Sequence, residues 1–166
     1  SKAWAFGGVS GYSVVLDTAK RIWVSGGNGN GNLGLGHLAD LNAFAMPAGT
    51  FQGSVAAVVG GGRSGYRALY VLTEAGDLWA AGYGSNAQLA TDHATRPAVR
   101  NLFARVALPG RPAGVASVSI IPNTIDGHWG IAARTVDGAL YVSGANASGE
   151  LGVGHLQSID GFERVV

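Results

Sequence analysis

The chain has 166 residues, of which 47% are hydrophobic and 13% charged, and this balance excludes disorder and favours one folded domain with a core. The formal net charge of +1, with no run of one sign, excludes the basic footprint typical of nucleic-acid binding. The absence of cysteine excludes disulfides, thiolate metal sites and cysteine nucleophiles, and no apolar run approaches the ~20 residues that cross a bilayer.

Short apolar runs bounded by glycine or turn residues predict β-strands along the whole chain. In chain order they cover residues 11–16, 22–25, 55–59, 68–72, 78–81, 115–121, 130–133 and 140–143. No window shows a long helical period, and at most a short helix is considered over residues 96–105. With 28 glycines to supply tight turns, the pattern predicts an all-β fold.

The chain repeats itself. Residues 22–26 (IWVSG) return as 78–82 (LWAAG) and 140–144 (LYVSG), at separations of 56 and 62 residues. A leucine stands ten residues after each aromatic, and a histidine fourteen residues after it. The equivalent positions, predicted to be structural, are Trp23, Gly26, Leu33 and His37, then Trp79, Gly82, Leu89 and His93, then Tyr141, Gly144, Leu151 and His155. The prediction is a single repeat domain, 1–166, with units of about 1–47, 48–106 and 107–166.

Each unit is predicted to be a four-stranded antiparallel blade of a β-propeller, because stacked repeats bury faces that one repeat alone exposes. The aromatic of each unit is expected to pack between blades, and the glycine three residues later to allow a tight bend or a close strand approach. The leucine is expected to point inward.

The motif resembles the signature of the regulator of chromosome condensation (RCC1-like) repeat. That signature has an aromatic, then glycine, a nearby asparagine, and Gly-Gln-Leu-Gly-x-Gly-Asp. Residues 23–28 (WVSGGN) with 31–37 (GNLGLGH) match it, 149–155 (GELGVGH) is a second good copy, and 87–93 (AQLATDH) is degenerate. The resemblance implies a propeller of about seven blades. About three units are present, so we expect a fragment of a longer protein or a ring closed between chains, with an open arc as the alternative.

Residues 29–34 (GNGNLG) also fit the spacing of a dinucleotide-binding loop, G-x-G-x-x-G. A dinucleotide-binding loop needs a helix after it, and residues 35–41 show no helical pattern. The equivalent residues of the second repeat, 85–90, lack the glycines of the motif. The three equivalent histidines suggest a metal site, but neighbouring blades hold equivalent positions too far apart to share one ion. Each histidine is therefore expected to pack or hydrogen-bond within its own blade, with a cluster on an oligomer axis as the alternative. No G-x-S-x-G elbow occurs.

We predict no catalytic, cofactor-binding or metal-binding residue. The candidate partner-binding surface consists of the loops that differ between units, at residues 45–53, 60–66, 91–100 and 123–129. Residue types common at binding hot spots, together with one histidine that has no repeat equivalent, give the candidates. They are Arg63, Tyr66, Arg67, Arg96, Arg100, His128 and Trp129.

These observations favour a non-catalytic binding or structural module. The resemblance implies relatives among exchange factors for small GTPases, ligase scaffolds, and prokaryotic or viral surface proteins. The composition favours the last group: a receptor-binding or tail-fibre-type protein of a phage or bacterium, at the virion or extracellular surface. The expected partner is a protein or a cell-surface glycan, without nucleic acid or membrane insertion, in a homo-oligomer or a larger chain. A guanine-nucleotide exchange factor is the alternative, and an enzyme the least favoured class.

Overall fold

The fold consists of twelve short β-strands, and no helix occurs among the described residues. The structure, a computed structural model, describes residues 2–6, 11–49, 53–62, 65–85, 89, 98–110, 114–122 and 129–165. The strands are β1 (Lys2–Phe6), β2 (Tyr12–Leu16), β3 (Ile22–Gly26), β4 (Leu41–Ala45), β5 (Val55–Gly61), β6 (Ala68–Thr73), β7 (Leu78–Tyr83), β8 (Val99–Val106), β9 (Val115–Pro122), β10 (Trp129–Thr135), β11 (Leu140–Gly144) and β12 (Ile159–Arg164). The helix considered over residues 96–105 is wrong in the described part, because that segment pairs with β7 as a strand.

The strands form three four-stranded antiparallel sheets, β1-β2-β3-β4, β5-β6-β7-β8 and β9-β10-β11-β12, which we call blade 1, blade 2 and blade 3. Within each blade, strands adjacent in sequence are adjacent in space. The first strands of neighbouring blades also touch, β1 with β5 and β5 with β9. The all-β prediction of propeller-like blades is confirmed, and the described blades are fewer than the roughly four to eight of a closed ring.

Each blade has a hairpin end, where a tight turn joins its two central strands. One turn position has a positive φ in every blade, 61° at Lys20, 81° at Gly76 and 89° at Gly138. The left-handed conformation costs a residue with a Cβ roughly 1–2 kcal/mol. Blade 1 therefore carries a strained copy of the turn.

The opposite end of each blade, which we call the loop end, carries the long connections between strands. There β3, β7 and β11 each have a β-bulge just before Gly26, Gly82 and Gly144, whose φ angles are 104°, 124° and 119°. A Cβ at Gly82 would lie 2.4 Å from the carbonyl oxygen of Arg67 on the neighbouring chain segment. Only glycine permits both the backbone angle and this approach.

Two hydrophobic layers fill the spaces between the blades. The layer between blades 1 and 2 includes Tyr12, Val14, Val24, Leu33, Leu69, Val71 and Phe103. The layer between blades 2 and 3 includes Tyr70, Leu72, Ala80, Leu89, Trp129, Ile131 and Phe162. Trp79 packs in the first layer and Tyr141 in the second, whereas Trp23 donates its indole N–H to Asp17 Oδ2 at 3.1 Å, within blade 1.

The leucine of each repeat is buried, with exposures of 0%, 0% and 4% for Leu33, Leu89 and Leu151. Leu33 and Leu89 each lie in the layer toward the following blade. Leu151 packs with Val142 and Ile159 in a third cluster, formed within blade 3. Full burial of such a side chain stabilises the fold by roughly 1.5–3 kcal/mol.

Candidate binding surface at the loop end

A buried asparagine organises the long loop of blade 1 and another organises that of blade 3. The Asn28 amide donates to the carbonyl oxygens of His37 and Ala39, at 2.8 and 3.2 Å, and its Oδ1 accepts the N–H of Leu33 at 3.0 Å. Asn146 makes the equivalent bonds in blade 3, to residues 155, 157 and 151. Asn146 is fully buried and its amide donates twice, so the fold accounts for the asparagine at this position. Blade 2 has Gly84 at this position.

The histidine that ends the repeat motif contributes its backbone to this arrangement. Its carbonyl oxygen accepts the asparagine amide, at 2.8 Å for His37 and 2.7 Å for His155. The His37 side chain is exposed, while His155 Nδ1 accepts the Gln157 N–H at 3.2 Å and Nε2 lies 3.5 Å from Glu163 Oε2. His93 lies outside the described residues. A carbonyl is available from any residue, which explains how histidine can stand where the resembling signature has aspartate.

The glycine-rich loop of blade 1 docks on β8 of blade 2. The Gly36 N–H donates to the Asn101 carbonyl at 2.8 Å, and the Asn101 amide returns a bond to the Gly36 carbonyl at 2.9 Å. A Cβ at Gly34 would lie 2.4 Å from the Phe103 ring, and one at Gly31 would lie 2.7 Å from the Asn101 Cα. Gly31 and Gly34 thus permit close contact between blades 1 and 2, and no helix follows them as a dinucleotide loop requires.

The candidate partner-binding residues that the structure describes all lie at the loop end. The Trp129 indole N–H donates to the Tyr66 carbonyl at 3.2 Å, and the Tyr66 ring meets the Tyr83 ring edge-on at 5.1 Å. Arg67 and Trp129 are each only 3% exposed, while Tyr66 and Arg100 are half-buried. The remaining candidates, Arg63, Arg96 and His128, lie outside the described residues. The structure brings residues 66, 67 and 129 together and places Arg100 opposite Gly82.

Two residues that join blades 1 and 2 at this end were missed from the sequence. The Asn30 amide donates to the Gly65 carbonyl at 3.1 Å, and its Oδ1 accepts the Arg67 N–H at 3.3 Å. The Tyr12 hydroxyl donates to the Ala68 carbonyl at 3.2 Å. A polar residue inside a glycine-rich loop was the signal available for Asn30, whereas Tyr12 looked like any other strand residue.

The loop end carries the positive charges of Arg67 and Arg100 and also the carboxylate of Asp40, which accepts the Asn28 N–H at 2.8 Å. Burial raises the pKa of Tyr12 and of Tyr70, so both phenols stay neutral at pH 7, and burial lowers the pKa of Arg100. Across the described residues, no three metal-ligating side chains come together. In the same part of the chain, no helix is long and apolar enough to cross a membrane.

Three successive four-stranded blades define part of a β-propeller. Among solved structures, the chain is similar to Prp20p from Saccharomyces cerevisiae, with a TM-score of 0.74 and 16% identity over 98% of this chain and 38% of that one. Prp20p is yeast RCC1, so the RCC1-like resemblance is confirmed for the fold. The structure of yeast RCC1 (Prp20) bound to Kap60 is similar with a TM-score of 0.74 and 16% identity, over 98% of this chain and 36% of that one.

Human WBSCR16 is also similar, with a TM-score of 0.57 and 19% identity over 98% of this chain and 52% of that one. The chain therefore spans between about a third and half of the length of these proteins. No protein-family model matches the sequence, and no curated protein does.

Proposed function

We propose that this chain is a non-catalytic binding module that recognises a macromolecular partner through the loop end of its blades. The observation that carries the proposal is the position of Tyr66 and Arg100, which are half-buried at the same end of the blades as the buried Arg67 and Trp129. These residues come from different strands and connections, yet the fold gathers them at one end. Connections that vary between repeats, held on a rigid repeated scaffold, are where such folds place recognition.

The partner we propose is a protein or a cell-surface glycan, and the setting is the surface of a virion or bacterium. Half-buried aromatic and arginine side chains, such as Tyr66 and Arg100, supply binding energy to either kind of partner. The net charge of +1 gives no support for nucleic acid. Prp20p has binding properties to Gsp1p and histones, and its structure bound to Kap60 is known. Protein binding by a protein of the same fold supports a protein partner for this chain.

The test is direct binding of the fluorescently labelled chain to a panel of bacterial cells and to a glycan array. Replacing Tyr66 or Arg100 with alanine is expected to weaken binding at least tenfold, about 1.4 kcal/mol, because hot-spot residues of these types contribute that much or more. Arg21→Ala is the matched control, since Arg21 is an exposed arginine at the hairpin end. Unfolding midpoints confirm that each variant is folded. Unchanged binding by both loop-end variants would contradict the proposal.

A regulator of a small GTPase is the second candidate, favoured by the similarity to Prp20p over 98% of this chain. Its test is the release rate of a fluorescent guanine nucleotide from purified small GTPases, with and without the chain. Acceleration that disappears in the Tyr66 and Arg100 variants would favour this candidate over the surface-protein proposal. Release at the intrinsic rate would remove it for the GTPases tried.

A further inference from the structure

The Arg67 side chain is buried at the loop end between blades 1 and 2 without a hydrogen-bond acceptor. The residue is 3% exposed, and its Nε and Nη2 atoms are both enclosed and unbonded. These two nitrogens form one edge of the guanidinium, with N–H bonds pointing the same way. That edge is the fork that binds two oxygens of one carboxylate or phosphate.

The backbone around Arg67 is fixed, so the fork has a defined place. The backbone N–H of Arg67 donates to Asn30 Oδ1 at 3.3 Å, and the backbone carbonyl oxygen of Arg67 accepts the Tyr83 N–H at 2.7 Å. The neighbouring Ala68 carbonyl accepts the Tyr12 hydroxyl at 3.2 Å. Blade 1 therefore holds this segment of blade 2 from two sides.

No described residue supplies the negative charge that this guanidinium needs. Arginine cannot lose its proton in a protein, and a buried charge without a partner is strongly destabilising. Where described carboxylates form ion pairs, their partners are other cations, as for Asp17 with Arg21 and Glu74 with Lys20. Tyr12, which is close enough to Arg67 to interact electrostatically, is held neutral by burial.

A second arginine adds positive charge near the same end. Arg100 pairs with Gly82, which itself pairs with Ala68, so Arg100 lies two strands from Ala68, the residue after Arg67, along one row of the sheet. Its Nη1 is enclosed and unbonded, as is the Tyr70 hydroxyl, which is a further hydrogen-bond donor. Tyr70 packs in the layer between blades 2 and 3, so it and Arg100 add unused donors and positive charge near the fork and not beside it. Positive charge with unused donors nearby is typical of an anion site.

We infer that the loop end between blades 1 and 2 holds an oxyanion, bound through two oxygens by the Nε–Nη2 fork of Arg67. The ligand class is a small carboxylate or a tetrahedral oxyanion such as phosphate or sulfate. The Arg100 charge stabilises the same anion at longer range. The inference does not depend on the proposed partner-binding function, since the chain and the anion suffice to test it.

The test measures the thermal unfolding midpoint of the chain in acetate, phosphate or sulfate, against sodium chloride at matched ionic strength. An anion present at a hundred times its dissociation constant is expected to raise the midpoint by about 5–10 °C over chloride. Acetate active alone identifies a carboxylate site, whereas phosphate or sulfate active alone identifies a tetrahedral one. No rise with any oxyanion would overturn the inference.

Two variants and one spectroscopic readout assign the effect to the fork. Arg67→Lys keeps the charge but lacks the pair of N–H groups that form the fork. The apparent affinity for the anion, obtained from the midpoint shift at increasing anion concentration, is expected to fall at least tenfold. Arg21→Lys, at an exposed arginine of the hairpin end, is expected to keep the full shift. If Arg67→Lys does not fold, the wild-type chain is titrated with the anion instead, and the arginine Nε–H signals are followed by NMR. The chemical shift of one Nε–H that is protected from solvent exchange must change.

The chain's own Asp92 and Asp126, outside the described residues, are tested in the same way. In Asp92→Asn and Asp126→Asn the anion shift is expected to equal that of the wild type. If the shift appears only when one of these carboxylates is removed, that side chain is the acceptor, and the site for an external anion is refuted.

Discussion

The asparagine clamp of blade 1 gives the sharpest prediction for stability. Asn28→Ala removes three hydrogen bonds, two donated to the His37 and Ala39 carbonyls and one accepted from the Leu33 N–H. Residues 37 and 39 are exposed, so water can hydrate their carbonyls, whereas Leu33 is fully buried and its N–H is left unpaired. An unpaired buried donor costs about 1–3 kcal/mol.

We expect Asn28→Ala to lower the free energy of unfolding by about 2–3 kcal/mol, which is about 5–10 °C in midpoint for a chain of this size. Asn28→Asp should cost more, because it keeps the acceptor for the Leu33 N–H but turns an oxygen toward two carbonyl oxygens. Asn146→Ala should cost a similar amount, since Asn146 makes the same three bonds in blade 3.

The assay is urea unfolding followed by circular dichroism, with slope and midpoint fitted separately. Asn42→Ala is the matched control, because Asn42 is exposed on β4, and its cost should stay within about 0.5 kcal/mol. A loss below about 0.5 kcal/mol for Asn28→Ala, or a smaller loss for Asn28→Asp than for alanine, would refute the reasoning.

Three further predictions concern single positions. Gly34→Ala should lower the free energy of unfolding in urea by more than about 2 kcal/mol, because Gly34 has a φ of 67° and the new Cβ would lie 2.4 Å from the Phe103 ring. Gly29→Ala is the control and should be nearly neutral, because no atom beyond its chain neighbours lies within 4 Å of its Cβ position. Equal losses for the two variants would contradict this. Lys20→Gly should raise the unfolding midpoint, because it relieves roughly 1–2 kcal/mol of strain at φ 61° and the greater freedom of glycine in the unfolded chain offsets only about half of that. A lower midpoint would count against that account. The backbone N–H of Arg21 is the main cause that lowers the pKa of Asp17 to about 2, so its contribution is present above the unfolded pKa near 4 and is lost as pH falls toward 2. In Asp17→Asn the unfolding midpoint should therefore depend less on pH between 4 and 2 than in the wild type. A pH dependence equal to that of the wild type would refute this prediction.

Much of each blade could be predicted from the sequence, because the repeat marks the positions that the fold constrains. The glycine of the Trp-x-x-Gly motif is needed at the bulge, as the φ of 104° at Gly26 and 124° at Gly82 requires. The leucine ten residues after the aromatic is buried, as at Leu33. Such requirements are local or arise between adjacent strands, so they leave a periodic trace in the sequence.

The contacts between blades could not be predicted in this way. Arg67 was a candidate partner-binding residue, yet it is 3% exposed, and its backbone N–H bonds Asn30 in the loop of blade 1. The histidine of the repeat was considered for its imidazole, whereas the contact common to blades 1 and 3 is made by its carbonyl. A backbone role leaves no preference for a side chain, so the sequence carries no signal for it.

By itself, the sequence determined the all-β class, the repeat and the residues that point inward, because hydrophobic alternation and the spacing of glycines are dictated by strand geometry. Only the tertiary structure decided that the glycine-rich loop of blade 1 docks on β8 and that the fork of Arg67 is enclosed. These contacts join residues tens of positions apart through the stacking of whole blades. Stacking geometry is set by side-chain packing across the interface, which no single repeat encodes.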